Sequence, residues 1–205
     1  MKKNLTILLI FFCNISFAQN ITLQTGDFLF QIGKGSEFEK AIISSTQGLE
    51  NLNYTHIGVV YIIDDEIFVL EAEPKKGVVK TPLKEFVDCG KITVVGRLKE
   101  MYKFTIPTAI KRILSQLGKA YNSTFQANGD GYYCSQLIQQ SFILDNNEHL
   151  FAPIPMSFKD NETGETHIFW IEYYEKLGIP IPEGEDGSNP NMIATSEKVE
   201  IFGMF

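Results

Sequence analysis

Apolar and polar positions divide the chain into a strand-rich first half and a helix-rich second half. In the first half, short runs of β-branched and aromatic residues are separated by turn residues, which is the pattern of β-strands. These runs cover residues 25–32, 56–63, 66–73, 78–80 and 91–98. Because the runs 56–63 and 66–73 are joined by only Asp64 and Asp65, the pattern predicts a β-hairpin at that point.

The second half carries the spacing of amphipathic helices. Residues 105–117 place apolar side chains on one face, and Gly118 ends that pattern. After a polar loop at 122–131, a second helix is expected to begin near Cys134 and to end at about residue 144. A third helix is expected over 167–177, with its aromatic side chains packed in the core. The whole pattern predicts one α+β domain, with an antiparallel sheet packed against helices.

Three further segments carry local signals of structure. Ser36 precedes an acidic turn and is expected to cap a short helix that runs through Ile43. Thr81 and Pro82 form a cap and first turn for another short helix. The segment 180–191, rich in Pro, Gly and acidic residues, is expected to be a surface loop.

The N-terminus has the features of a signal peptide. Lys2 and Lys3 precede an apolar run at 5–12, and Ser16 and Ala18 form a small-x-small cleavage site. We therefore expect residues 1–18 to be a signal peptide and 19–205 to be a single domain, exported to the periplasm or cell envelope. The apolar run is too short to span a bilayer, so no integral membrane segment is expected after cleavage.

Charge narrows the classes of partner. The full chain has a net charge of -7, and removal of the two leader lysines gives (18 − 2) − 25 = -9. An acidic chain without a basic patch is a poor ligand for polyanions, so nucleic acid is not an expected partner.

Several kinds of active site are excluded by spacing. The histidines at 56, 149 and 167 lack the spacing of a metalloprotease, and no paired-cysteine motif indicates zinc. The chain also lacks a Gly-x-Ser-x-Gly elbow and a dinucleotide-binding fingerprint. Neither a metal nor a cofactor is therefore expected, and a cysteine nucleophile remains.

Cys134 is the candidate nucleophile. It follows a glycine-rich loop at the expected start of a helix, where partial positive charge favours a thiolate and backbone N–H groups can receive an oxyanion. The alternative is a buried structural cysteine. Cys89, at a helix-to-strand turn, is interpreted as structural, and spacing leaves a disulfide between Cys89 and Cys134 open.

A thiolate needs a base and a group that orients the base. His56 begins a predicted strand, where clefts form at the edge of a sheet. Glu71 lies within an apolar run on the neighbouring strand, and a buried carboxylate needs a partner such as an imidazole. Glu73 is interpreted as a solvated strand end, and His149 and His167 as a surface residue and a helix cap.

Four short motifs and the closing segment resemble a known family. The motifs are Gly26-Asp27-Phe28-Leu29-Phe30-Gln31, Thr55-His56-Ile57-Gly58-Val59, Leu70-Glu71-Ala72 and Tyr133-Cys134-Ser135-Gln136-Leu137, followed by a similar segment at 189–196. In this order they resemble the permuted papain-like amidases of the YiiX/YaeF type, in the NlpC-type cysteine peptidase superfamily. The resemblance implies a circularly permuted papain-like fold. It also implies that Cys134 is the nucleophile, His56 the base and Glu71 the third member of a triad. Gln136 departs from the glutamate expected in many relatives.

The resemblance also implies an activity. We expect an exported cysteine hydrolase that cleaves amide bonds, with cell-wall peptides or small amino-acid amides as substrates, through a thioester intermediate. The side chain of Gln31 is expected to help to stabilise the oxyanion, and Tyr133 to shape the cleft. The alternatives are a lipid acyl hydrolase or acyltransferase on the same fold, and a non-catalytic binding module.

Overall fold

An antiparallel sheet of six strands organises the chain. The computed structural model describes residues 21–48 and 52–205, so the predicted signal peptide lies outside the described residues. The strands of the sheet are β1 (Phe28–Ile32), β2 (His56–Ile63), β3 (Glu66–Glu73), β4 (Gly77–Pro82), β5 (Ile92–Leu98) and β8 (Val199–Met204). Their spatial order is β4-β3-β2-β1-β5-β8, and every neighbouring pair is antiparallel. A separate ribbon pairs β6 (Ile154–Pro155) with β7 (Asp186–Gly187).

Helices cover both faces of the sheet. They are α1 (Glu37–Ser45), α2 (Leu83–Cys89), a 3-10 helix (Glu100–Thr105), α3 (Ile106–Leu114), α4 (Cys134–Ser141), α5 (Ile168–Leu177) and α6 (Pro190–Ala194). Side chains alternate between faces along each strand. Phe28 and Phe30 therefore join the core under α3 and α4, whereas Leu29 joins the smaller core under α2. The predicted α+β domain, an antiparallel sheet packed against helices, is confirmed.

The central hairpin has the predicted turn. Asp64 and Asp65 both adopt positive φ, at 50° and 62°, which is the backbone of the two-residue turn that matches the twist of the flanking strands. Val59 pairs with Leu70 in this hairpin. The register places Glu71, the next residue of β3, beside the beginning of β2, and so fixes one half of the site described below.

Helix starts agree with the sequence better than helix ends do. Ser36 caps α1 in a reciprocal capping box with Glu39, as predicted. The expectation that α3 runs to residue 117 is wrong, because the N–H of Gly118 bonds Val78 O in β4 and the chain has already left the helix. Similarly, α4 ends at Ser141 and not at about residue 144. Phe142 has an extended backbone, and its carbonyl accepts the N–H of Leu150. In both places a tertiary hydrogen bond overrides the helical pattern.

The expected surface loop at 180–191 is wrong in its second half. Asp186 and Gly187 form β7, and Asn189 caps α6 with Pro190 in its first turn. Asn191 is fully buried: its Oδ1 accepts Tyr54 N at 2.7 Å and its Nδ2 donates to Thr46 Oγ1 at 2.7 Å. The amide side chain of Asn191 is therefore buried because both of its polar atoms find partners there.

A third core forms around the aromatic residues of α5. Trp170 donates its indole N–H to Ala41 O, and Tyr173 and Tyr174 donate to Ser123 O and Thr124 O. The interpretation of this cluster as packing is confirmed. Within the described ranges, no helix is long and apolar enough to cross a membrane.

The ion pair between Asp27 and Arg97 should be a major contributor to stability. Asp27 is almost fully buried, and its carboxylate accepts Arg97 Nε at 2.6 Å and Nη2 at 2.8 Å. Asp27→Ala leaves the guanidinium without its partner, so we expect a loss of about 3–5 kcal/mol in the free energy of unfolding, measured by urea denaturation. Asp88→Ala, which removes an exposed pair with Lys84, is the control and should have a much smaller effect because solvent screens that pair. Equal losses would contradict this prediction.

Candidate active site

Cys134 is the first residue of α4, with Tyr133 as the residue that caps the helix. The N–H of Tyr133 donates to Gln136 Oε1 at 3.3 Å, and Leu137 N donates to Tyr133 O at 3.0 Å, so the helix start is held from both sides. The thiol is buried and free. The backbone N–H of Cys134 lies in the first turn of α4. N–H groups in the first turn of a helix have no carbonyl partner within the helix, so they are available to a ligand.

His56 and Glu71 meet across the central hairpin. The distance from His56 Nε2 to Glu71 Oε2 is 2.6 Å, and Thr81 of β4 donates its hydroxyl to Glu71 Oε1 at 2.5 Å. The imidazole also packs against Phe86, with ring centroids 5.7 Å apart and ring planes tilted by 35°. Three neighbouring strands and α2 therefore fix the orientation of a single imidazole ring.

His56 also interacts electrostatically with Cys134. Burial alone would lower the pKa of His56. Hydrogen bonds and charge interactions with Cys134 and Glu71 outweigh burial and raise the pKa to about 10. The imidazole is therefore positively charged at neutral pH, between a carboxylate on one side and the sulfur of Cys134 on the other.

Glu71 is held in its charged form by the same contacts. Burial raises the pKa of this carboxyl, but the hydrogen bond and charge of His56, the hydroxyl of Thr81 and the charge of Lys76 lower it by more. The structure thus brings together Cys134, His56 and Glu71, the three residues proposed as a triad. It adds Thr81, which the sequence had suggested only as a helix cap.

Gln31 does not fit the oxyanion role expected of it. Its amide nitrogen donates to Phe86 O at 2.6 Å and to Thr93 Oγ1 at 3.2 Å, so both N–H groups are engaged on the α2 side of the sheet. Gln31 is the register partner of His56 on β2, but its N–H groups are already committed to these two acceptors. Gln31 ties β1 to α2 and β5.

Tyr133 lies in the cleft, as expected, but its hydroxyl has a structural task. The phenol accepts Ser188 N at 3.0 Å and donates to Met156 Sδ at 3.7 Å, which links the start of α4 to the β6–β7 ribbon. Burial is the main cause that raises the pKa of Tyr133.

The interpretation of Cys89 as structural is not supported, because its side chain is exposed at the end of α2. Cys89 and Cys134 are both free, so no disulfide joins them.

A cavity of about 490 Å³ opens beside Cys134. Its apolar lining includes Ile42, Tyr121, Phe125, Met156, Phe158 and Trp170. Tyr121 is the functional candidate that sequence reasoning missed: burial and then the nearby charge of Cys134 raise its pKa, so its phenol keeps its proton. Its place after Gly118-Lys119-Ala120 carries no local signal, because only the fold brings it to the thiol.

Metal ligation is not supported by the side chains. Across residues 21–48 and 52–205, no three His, Cys, Asp or Glu side chains converge as metal ligands would. The imidazole of His56 is already engaged on both sides, and the carboxylate of Glu71 binds a hydroxyl and the imidazole. These residues do not fit a metal centre.

Comparison with known proteins identifies the family and the fold. The family model of the permuted papain-like amidase enzymes, the YaeF/YiiX or C92 family, matches residues 22–202. The chain belongs to this family.

Two Escherichia coli proteins illustrate the similarity. The uncharacterized protein YiiX of strain K12 is 34% identical over 145 residues, which span 67% of this chain and 65% of that protein. The crystal structure of YiiX from strain O157:H7, whose title calls it a metalloprotein, matches with a TM-score of 0.72 at 24% identity. This match covers 89% of this chain and 97% of the other. At that identity the structural match establishes the fold, and the permuted papain-like architecture expected from the sequence is confirmed.

For this member of the permuted amidase family, Glu71→Gln should lower the pKa of His56. The substitution removes the negative charge that stabilises the imidazolium, so the ring should lose its proton at a pH well below 10. NMR titration of the His56 ring protons in the wild type and in Glu71→Gln measures the shift. An unchanged titration of His56 would show that Glu71 does not hold its charge.

Proposed function

We propose that this protein is a cysteine hydrolase that cleaves amide bonds through Cys134, His56 and Glu71. Membership of an amidase family supports amide hydrolysis in general. The observation that carries the cysteine mechanism is the placement of one imidazole between a buried carboxylate and the sulfur at a helix start, with a pKa raised by both. A base oriented by a third group beside a nucleophile is the arrangement that covalent acyl transfer requires.

The steps follow from this arrangement. The thiolate of Cys134 attacks the carbonyl carbon, and the carbonyl oxygen becomes an oxyanion. When the C–N bond breaks, His56 gives its proton to the leaving nitrogen, and the acyl group stays on sulfur as a thioester. His56 then takes a proton from water, whose oxygen attacks the thioester, and the carboxylic acid leaves as the thiolate re-forms. Glu71 stays ionised and keeps the ring aligned throughout.

Two donors are proposed for the oxyanion. One is the backbone N–H of Cys134 at the start of α4. The other is the phenol of Tyr121, which lines the same cavity, interacts with the charge of Cys134 and keeps its proton. Among the described residues, the Tyr121 hydroxyl has no hydrogen-bond partner, so it is able to donate to a substrate.

Export is part of the proposal. The charged, apolar and small-residue order of positions 1–18 supports a cleaved leader, which would place the enzyme in the periplasm or cell envelope. The substrates would then be peptides, small amides or acyl compounds found there. A lipid acyl hydrolase or acyltransferase is the second candidate, because the cavity beside the thiol has a mainly apolar lining.

The activation of Cys134 by His56 can be tested within one molecule. At pH 6–7, iodoacetamide should label Cys134 faster than the exposed Cys89, and His56→Ala should slow the labelling of Cys134 alone. Mass spectrometry of both peptides measures the two rates, and Cys89 serves as the internal reference.

Cys134→Ala should abolish hydrolysis of any amide or ester that the wild type cleaves while the circular dichroism spectrum is retained. Activity retained in Cys134→Ala would refute the proposed nucleophile.

Tyr121→Phe should reduce kcat on the order of 100-fold with a much smaller change in KM, because an oxyanion donor acts in the transition state. The ring, and therefore the cavity wall, stays in place. Tyr132→Phe is the matched control: that hydroxyl donates to Gln116 Oε1, outside the cavity lining, and its loss should leave kcat nearly unchanged. Equal effects of the two substitutions would remove Tyr121 from the reaction.

A further inference from the structure

Thr81 is a buried hydroxyl that no step of the proposed reaction uses. The register of β3 and β4 pairs Glu71 with Val79, so Thr81, two residues further along β4, is the diagonal neighbour of Glu71 on the same face. Both side chains are only 5% exposed, and the hydroxyl donates to Glu71 Oε1 at 2.5 Å. The hydroxyl is therefore used on the carboxylate and not at the start of α2, where Pro82 precedes the first turn.

The two oxygens of Glu71 have different partners. Oε1 accepts the hydroxyl of Thr81, and Oε2 lies 2.6 Å from His56 Nε2. A carboxylate with one oxygen bonded in this way cannot rotate freely, so the other oxygen stays directed at Nε2. Because Nε2 faces the carboxylate, Nδ1 is the ring nitrogen left to interact with Cys134.

The third group that acts on Glu71 is the ammonium of Lys76, in the turn between β3 and β4. This ammonium is about half exposed and forms an ion pair with Glu85 Oε1 at 2.6 Å. It acts on the carboxylate through its charge alone, without a hydrogen bond that would fix the direction of either oxygen. The directional contact on Oε1 is therefore that of Thr81.

Strand β4 is itself held on both sides. One side pairs with β3. On the other side, Val78 N donates to Lys119 O and Gly118 N donates to Val78 O, both at 2.8–2.9 Å. The hydroxyl of Thr81 is therefore presented to Glu71 from a fixed backbone, although β4 is the last strand on its side of the sheet.

We propose, on the basis of the cysteine hydrolase function above, that Thr81 is a positioning residue, which holds Glu71 in the orientation that directs His56 toward Cys134. Thr81 acts through the carboxylate and the imidazole. It is one step further from the reacting atoms than the three residues of the triad.

Thr81→Val keeps the branched shape of the side chain and removes the donor. Because the hydroxyl lowers the pKa of Glu71, its loss should raise that pKa, and Glu71 should take up a proton at a higher pH than in the wild type. The pH below which iodoacetamide labelling of Cys134 declines should therefore rise by about one unit. Mass spectrometry of the Cys134 peptide measures this limit, with Cys89 as the internal reference.

Two further variants separate positioning from a general loss of stability. Thr81→Ser keeps the hydroxyl and should restore the limit of the wild type. Thr105→Val removes another buried hydroxyl, which donates to Tyr102 O at 2.7 Å, and should leave the limit unchanged. A limit that does not move in Thr81→Val, or that moves equally in Thr105→Val, would overturn the inference.

Kinetics give a second measurement on any amide or ester that the wild type cleaves. Thr81→Val should lower kcat on the order of 10-fold at pH 7 with little change in KM, because the imidazole is less well oriented in the transition state. Thr81→Ser should recover most of this loss. A change in KM alone would count against a positioning role.

Failure of positioning and failure of catalysis have different signatures. The ring N–H of His56 that bonds the carboxylate of Glu71 should give a low-field NMR signal, which involves no substrate. This signal should shift or broaden in Thr81→Val and stay in place in Thr81→Ser. If it stays in place in Thr81→Val, the role of Thr81 is refuted and the cysteine hydrolase is not affected. If the labelling of Cys134 does not depend on His56, the proposed function itself fails.

Discussion

A carboxylate inside a sheet is stable only if its charge is compensated, and Glu71 is the residue that imposes this condition here. It is compensated by the imidazolium of His56 on one oxygen and by the hydroxyl of Thr81 on the other. The compensation requires β2, β3 and β4 to keep one register, since a slip of one residue would send Glu71 to the opposite face. The orientation of the imidazole, and with it the site, depends on that register.

The second half of the chain supplies what the sheet lacks. α4 packs on β2 and β3 and brings the sulfur of Cys134 to the free side of the imidazole. Tyr133, the neighbouring residue, uses its hydroxyl to hold Ser188 and Met156, so the helix start also anchors the cavity wall. One short segment therefore determines both where the nucleophile lies and what shape of group reaches it.

Local signals were sufficient for much of this arrangement. The Asp64-Asp65 turn, the cap at Ser36 and the start of α4 were predictable because each depends on neighbours in sequence. His56, Glu71 and Cys134 were recognised as candidates from their residue types, their places on predicted elements and a family resemblance. The structure brings these three together.

The remainder depends on contacts that a single sequence does not display. Tyr121 reaches the cavity only because the chain around Gly118 is bonded to β4. The side chain of Gln31 is engaged by Phe86 O and Thr93 Oγ1, which are far away in sequence and which a short motif does not reveal. Asn191 is buried because Tyr54 and Thr46, far away in sequence, satisfy its amide. Distant hydrogen-bond partners decided each of these positions.

The order of the parts along the chain also sets an order in time. His56 and Glu71 are 15 residues apart, and both are synthesised well before Cys134. The ribbon and α6, which close the cavity, come last. A nascent chain thus carries the histidine and the glutamate without a thiol, and afterwards a thiol without the residues that close its pocket. The permuted order therefore delays assembly of the complete site until nearly all of the polypeptide has been made.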